Sequence, residues 1–386
     1  MIECRTIKEL CSVVVDCPHS TPTWTVEGKI VVRSNNIKNG RIDFSSPSYT
    51  DDEHFQQRIK RATPQGGDII ITREAPMGEV GMIPEGIVCC LGQRMVLLRA
   101  NPEICDNYYL LYSLQSRYVQ HQISWSEGTG TTVSNLRIPH LEQLKIPYLP
   151  LSKQRQVSSV LRCLEGKIEQ NRVINDNLQQ QAAALFANFY DQAETEVGFT
   201  EIIQILGGGT PKTSESSYWN GNVPFFTPKD VGLPYTLTTE KTITEEGLAH
   251  CNSGLYPINT VFVTARGTVG KVGLSGVPMA MNQSCYALVG KDTHQLLVYF
   301  YTLEAVARLK HKASGAVFDA ITTRDFESEI IMKLSDDDAK AFLDVAEPIY
   351  QAVLSNSIEN LRLAALRDSL LPKLMSGGID VSGIQL

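Results

Sequence analysis

The sequence predicts an α+β chain in which two mixed α/β globules alternate with two long helices, and three observations carry that prediction. A 15-residue pattern recurs: Asp68–Met82 reads DIIITREAPMGEVGM, and Thr260–Leu274, 192 positions later, reads TVFVTARGTVGKVGL, an apolar triplet followed by Thr and a Gly-x-x-Gly with valine inside. Between about Ser152 and Tyr190 there is no proline and one glycine, Gly166, while apolar residues recur every seven positions. The same heptad register returns 185 positions later in a segment that starts at Ser335 and closes at Gly377-Gly378. Each repeat therefore pairs a globule with a helix, and the chain divides into 1–150, 151–191, 192–334 and 335–386.

In the first globule, apolar runs bounded by turn residues place strands at Lys29–Arg33, Asp68–Thr72, Ile87–Cys90 and Met95–Leu98. Pro64, Gly66-Gly67, Pro76, Gly78, Gly81, Pro84 and Gly86 mark the turns between them. Tyrosines and leucines at helical spacing place one helix over Asn107–Ile123. The second globule repeats the order, with strands at Pro224–Thr227 and Val261–Thr264 and a helix at Leu296–Lys312. Gly128 and Gly315 stand at equivalent places after the two helices. Trp125 and Trp219 read as core anchors.

In the first long helix, Leu161, Ile168, Asn175, Ala182 and Phe189 form one seam, and Leu164, Asn171, Leu178 and Leu185 the other. In the second, Ala346, Val353, Asn360, Arg367 and Leu374 match the first seam, and Ile349, Asn356, Leu363 and Leu370 the second. Two asparagines thus fall at equivalent points of both helices. A buried asparagine weakens a coiled coil but fixes its register. Ser335 followed by Asp336-Asp337-Asp338 is a helix start, because acids favour the positive end of the helix dipole. If the two helices pack on each other, the connectivity makes them antiparallel and relates the globules by a pseudo-two-fold axis. The competing expectation is an amphipathic helix lying on its own domain.

Hydrophobic content of 42% and charged content of 20% are those of an ordinary globular chain. MIECRTIKEL has no apolar core, and no run approaches 18 apolar residues, so neither a secretory signal nor a membrane span is expected. Nine cysteines without a CxxC spacing read as reduced cytoplasmic thiols, with no metal site. The net charge of −7 argues against tight non-specific binding of nucleic acid. The excess is concentrated in 335–386, with 4 basic and 8 acidic residues, whereas 1–150 is nearly balanced at 15 and 16.

Catalytic motifs are missing from the sequence. It carries no Asn-Pro-Pro-aromatic or Asp-Pro-Pro-Tyr run for amino methylation, no GxxxxGK[ST] phosphate loop and no HExxH. GGGTPKTS lacks the phosphate-loop glycine spacing and ARGTVGKV the hydroxyl after its lysine, which leaves their Lys212 and Lys271 as candidate DNA contacts. What remains is loop chemistry suited to reading a duplex. Arg33-Ser-Asn-Asn36 and Thr227-Pro-Lys-Asp230 occupy the same repeat position after a strand, so Arg33, Asn35, Asn36 and Lys229 are candidates, with Lys38 beside them. Arg73 and Arg266 follow the repeated threonine, displaced by one residue, and Arg94 and Gln283-Ser284 lie further on. Arg and Lys bond guanine edges, and Asn and Gln adenine edges, in the major groove. Each of these side chains is equally what a solvated loop carries, and Asn35-Asn36 can simply hold a turn.

Over essentially its whole length the chain resembles the specificity subunit of Type I restriction-modification enzymes. Gly207–Val231 (GGGTPKTSESSYWNGNVPFFTPKDV) looks like the start of a target-recognition domain; TARGTVGKVG and the SKQRQVSSVL…LFANF helix are similar to its later strand and the central conserved region. LRLAALRDSLLPKLMSGG looks like the distal conserved region. The resemblance implies two target-recognition domains, each reading half of a bipartite site in double-stranded DNA, with the coiled coil setting the gap. It implies two adenine-methylating modification subunits docked on the helices, and motor-nuclease restriction subunits joining for cleavage. S-adenosylmethionine, ATP and Mg are then expected on those partners, with no cofactor and no catalysis in this chain. The first domain departs from the pattern, having DCPHSTPTW for the GGTPKT segment and TREAPMG for the usual Arg-Gly pair. The alternatives are a coiled-coil scaffold whose globules bind proteins and a self-contained restriction-methylation enzyme. The sequence gives neither the recognised bases nor the gap.

Overall fold

A computed structural model describes residues 3–38, 40–125, 135–232, 234–312 and 320–381. Gly128 and Gly315 lie outside the described residues. The chain forms two compact units, residues 1–167 with 363–386 and residues 168–362. Each unit therefore contains one globule together with part of each long helix, Leu151–Gln192 and Asp336–Met375.

The apolar triplets of the repeat are strands with both faces covered. In unit 1, Ile69–Thr72 lies between Met95–Ala100 and Val80–Met82 in an antiparallel sheet whose other edge is Cys11–Asp16. Alternate residues of a strand point to opposite faces. Ile69 and Ile71 join Val96, Leu98, Leu110 and Leu114 in one core, while Ile70 joins Val32, Leu91 and Leu97 in another. Two cores explain why the run is apolar without alternation. Unit 2 repeats the device: Val261 and Val263 face Leu288, Leu297 and Phe300, and Phe262 faces Phe226, Tyr256 and Met281. Its sheet runs Ile203–Gly207, Cys285–Gly290, Val261–Thr264, Val272–Ser275, Tyr235–Thr236. In both units a second small sheet holds a parallel pair, Lys29–Val32 with Cys89–Leu91 and Trp219–Phe226 with Ala280–Met281.

The helix expected over Asn107–Ile123 is two helices, Asn107–Gln115 and Arg117–Ser124. Ser116 is extended (ψ 145) and caps the second, its Oγ accepting from the Val119 N–H at 3.4 Å and donating to the Ser113 carbonyl at 2.6 Å. A serine offers the backbone this alternative to the helix ladder. Its counterpart in unit 2, Gln295–Lys312, is unbroken. Trp125 is not a core anchor: it ends the helix Arg117–Ser124 76% exposed, tilted against His121. Trp219 does pack inward, edge-on to Phe225, with its Nε1–H donating to the Lys212 carbonyl at 3.1 Å.

The long helices pack on each other antiparallel within each unit. In unit 2, Asn171 Nδ2 donates to Asn360 Oδ1 at 2.9 Å and to Glu359 Oε2 at 2.6 Å, while Asn356 Nδ2 donates to Asn175 Oδ1 at 2.8 Å. Numbers rise along one helix as they fall along the other. Ile168, Asn171, Asn175 and Val353 are buried, and Leu178, Ile349, Asn356 and Asn360 are half-buried on the same seam. In unit 1, Val157 and Leu161 pack with Leu371, Leu374 and the half-buried Leu370, and Arg367 pairs with Glu165 at 3.3 Å. Leu164 and Leu363 are half-buried there.

The strict heptad fails beyond Ala182. Leu185 and Phe189 are half-buried, and Phe186 and Tyr190 take the buried positions. A straight helix drifts ~20° per heptad against a seven-residue repeat. Four-residue steps at 182, 186 and 190 follow that drift, and they bring Phe186 onto Phe300 (4.9 Å) and Phe342 (5.5 Å). Tyr350 joins the same cluster from the second helix. Pro348 lies inside Asp336–Met375 without ending it, although proline removes a helix hydrogen bond.

Candidate nucleic-acid interface

The connection after the repeated strand is built the same way in both units. In unit 2, Thr264 Oγ1 donates to the Thr268 carbonyl and accepts from the Lys271 N–H at 2.9 Å, and the Gly270 N–H donates to the Thr264 carbonyl at 2.8 Å. In unit 1, Thr72 Oγ1 donates to the Pro76 carbonyl at 2.6 Å and accepts from the Glu79 N–H at 3.0 Å; the Gly78 N–H donates to the Thr72 carbonyl at 2.9 Å. Gly78 and Gly270 have φ of 85° and 72°, the left-handed region that glycine enters without steric cost. The threonine hydroxyl thus ties each loop, and what the loop carries at its tip is free to differ.

In unit 2 the tip carries Arg266. It is exposed, and among the described residues its guanidinium meets no acceptor. The loop rests on the Thr227–Asp230 turn through Thr268 Oγ1, which donates to the Pro228 carbonyl at 3.2 Å. Asp230 shapes that turn by accepting from the Thr227 N–H (2.8 Å), the Thr227 hydroxyl (2.6 Å) and the Glu240 N–H (2.7 Å). Lys229 is left at the crown, 80% exposed and 3.8 Å from Glu240. Between turn and loop lies an open cleft of about 450 Å³, lined by Thr227, Lys229, Lys241, Arg266, Asn282 and Ser284 among others. Gln283 is exposed beside it, its Oε1 accepting from the Thr210 hydroxyl of the Gly207–Ser214 loop. Lys212 and Lys271 are exposed, but neither lines the cleft. Asn282, Ser284 and Lys241 do; of these only Ser284, in the pair Gln283-Ser284, was a candidate from the sequence. Cys285 lies next to the cleft, where burial pushes its thiol up to about 12 and leaves it a poor nucleophile.

Unit 1 disposes its candidates differently. Arg73 is held inside: its guanidinium donates to the Leu136 carbonyl at 2.9 Å, to Asp16 Oδ2 at 2.9 Å and to Asn135 Oδ1 at 3.2 Å, with 11% of the side chain exposed. It is a fastener of the domain, not an open cation. Arg94 is 56% exposed and pairs with Glu74 at 3.2 Å. Arg33 is exposed, stacked over Trp24 at 5.1 Å and donating to Ser48 Oγ at 3.5 Å. Asn36 holds a turn, its Oδ1 accepting from the Arg33 N–H at 2.9 Å, while Asn35 and Lys38 face solvent.

A family model for the type I restriction modification DNA specificity domain matches residues 4–180 and 195–333. The chain belongs to that family. It is similar to a Methanocaldococcus jannaschii protein assigned as the type I restriction enzyme MjaX specificity subunit, 22% identical, with 98% of this chain and 94% of that one covered. The HindI specificity subunit of Haemophilus influenzae is 28% identical over 47% of this chain and 40% of its own. Among solved structures, the S subunit of a type I system from M. genitalium has the same fold, with a TM-score of 0.59 at 16% identity, covering 97% of this chain and 96% of that one. This is a type I specificity subunit with two DNA-specificity domains, and membership sets the scaffold reading aside. Among the described residues, no helix is long and apolar enough to cross a membrane and no group of His, Cys, Asp and Glu could hold a metal.

Proposed function

We propose that each domain reads one half of an asymmetric, two-part DNA target and that this chain performs no chemistry of its own. The free Arg266 beside the cleft of unit 2 carries the reading. A guanidinium that meets no acceptor among the described residues, on a loop fixed by Thr264, suits a bidentate bond to a guanine edge. Lys229 and Lys241 beside it suit phosphate or base contact, and the chain's acidic balance is accommodated if partners supply much of the phosphate contact. Two modification subunits, carrying S-adenosylmethionine, dock on the long helices and transfer methyl groups to adenine; restriction subunits bring ATP and Mg. The complex acts in the cytoplasm, on the host's own DNA and on incoming DNA. The paired helices set the gap between half-sites.

The test is reconstitution on unmethylated genomic DNA. The chain alone transfers no methyl group, and the chain with its cognate modification subunit methylates adenine. Methyl transfer by the chain alone overturns the proposal.

A further inference from the structure

The two reading loops differ by a transposed charge. The strand registers pair Thr72 with Met95 in unit 1 and Thr264 with Cys285 in unit 2, so Arg94 stands where unit 2 has Ser284. Hydrogen bonds agree: the Arg73 N–H donates to the Arg94 carbonyl at 2.8 Å, and the Ala265 N–H to the Ser284 carbonyl at 2.8 Å. Counted from the shared threonine, the residue at the place of Arg266 is therefore Glu74, while Arg73 matches Ala265 and is buried. Unit 1 has an acid where unit 2 reads with an arginine, and an arginine where unit 2 has a serine.

The geometry points to Arg94 as the base-reading residue of the first half-site, with Glu74 as its positioning residue. Glu74 Oε1 accepts from Asn135 Nδ2 at 2.6 Å, which fixes the carboxylate, and Oε2 lies 3.2 Å from Arg94 Nε. The carboxylate's nearest approach to the guanidinium is thus at the inner nitrogen. Among the described residues no acceptor other than Glu74 meets it, so the outer edge of the fork is left for a ligand. Arg94 also has φ of 63°, a conformation rare outside glycine and concentrated at functional sites. A held, outward fork is the preorganised donor pair that the O6 and N7 of guanine accept in the major groove. Arg33 over Trp24, by contrast, lies after a different strand and suits a backbone contact.

This assignment rests on the proposed function, and the experiment separates the two. The full chain with its cognate modification subunit methylates host genomic DNA, and methylated sites are mapped at single-base resolution. Arg94→Gln relaxes discrimination at least tenfold at one guanine-containing pair of the first half-site and leaves the second half unchanged. Arg94→Lys keeps the charge and the pairing with Glu74 but lacks the fork, so it relaxes the same position; this milder variant decides the matter if Arg94→Gln fails to fold. Glu74→Gln relaxes that position more weakly, a readout that mere loss of stability does not produce. Unchanged discrimination in Arg94→Gln, or full discrimination in Arg94→Lys, overturns the assignment and makes Arg94 a phosphate or structural contact. If the wild-type complex transfers no methyl group, the parent reading falls and takes this one with it.

Discussion

Asn175 is where the register of the helix pair in unit 2 is most sharply specified, so its removal should be costly. It is 7% exposed. Its Nδ2 donates to the Val353 carbonyl at 3.2 Å and to Ser357 Oγ at 3.3 Å, and its Oδ1 accepts from Asn356 at 2.8 Å. Asn175→Ala deletes all three. The Val353 carbonyl and the Ser357 hydroxyl keep each other, at 2.7 Å, whereas Asn356 loses its acceptor at a half-buried position. At ~0.5–1.5 kcal/mol per net bond, and ~1–3 kcal/mol for a stranded buried group at the low end, the loss is ~2–3 kcal/mol. For a unit of this size that lowers the melting temperature by ~5–10 °C. The double variant Asn175→Leu with Asn356→Leu removes both polar groups and should restore or exceed wild-type stability while loosening register. Calorimetry with hydrogen exchange over residues 171–179 and 353–360 reads both effects. A cost below ~0.5 kcal/mol for Asn175→Ala, or a double variant as unstable as the single one, refutes the register argument.

Arg73→Gln should destabilise the first domain by ~2–4 kcal/mol, because it removes the guanidinium that bonds the Asp16 carboxylate, Asn135 and the Leu136 carbonyl; chemical unfolding checks the loss. Arg266→Gln should relax one position of the second half-site by ~1–3 kcal/mol and leave the first intact, with uniform weakening of both halves marking Arg266 as a phosphate contact instead. One heptad inserted at matching points of both helices, near Asn175 and Asn356, keeps the seam in phase and adds ~10 Å, about three base pairs of gap at unchanged half-sites; a folded, active variant that keeps its gap means the helices are not the spacer. Two or three added residues rotate the seam and should destabilise the protein.

The parts of the structure legible in the sequence were those with a period. Ile69-Ile70-Ile71 and Val261-Phe262-Val263 announced strands buried on both faces, and the asparagine pairs announced register points, because burial and pairing constrain every residue in those runs. Non-periodic features were not legible. Ser116 breaks a helix by a local side-chain bond, and Phe186 and Tyr190 are chosen by the aromatic neighbours Phe300 and Tyr301, more than a hundred residues away. The site was half legible: Arg266 and the one-residue displacement of Arg73 were visible from the repeat, whereas the burial of Arg73 on Asp16 was not. Only the strand pairing, Thr72 with Met95 and Thr264 with Cys285, shows that Arg94 stands where unit 2 has Ser284, beside the Glu74 that takes the place of Arg266.

The most direct test of two reading domains on one non-catalytic chain is the methylome of the host with this chain present and deleted. The account predicts adenine methylation in a two-part asymmetric sequence with an unread gap, lost entirely on deletion and restored by the chain supplied in trans. Methylation that survives deletion, or a single continuous target, would contradict it.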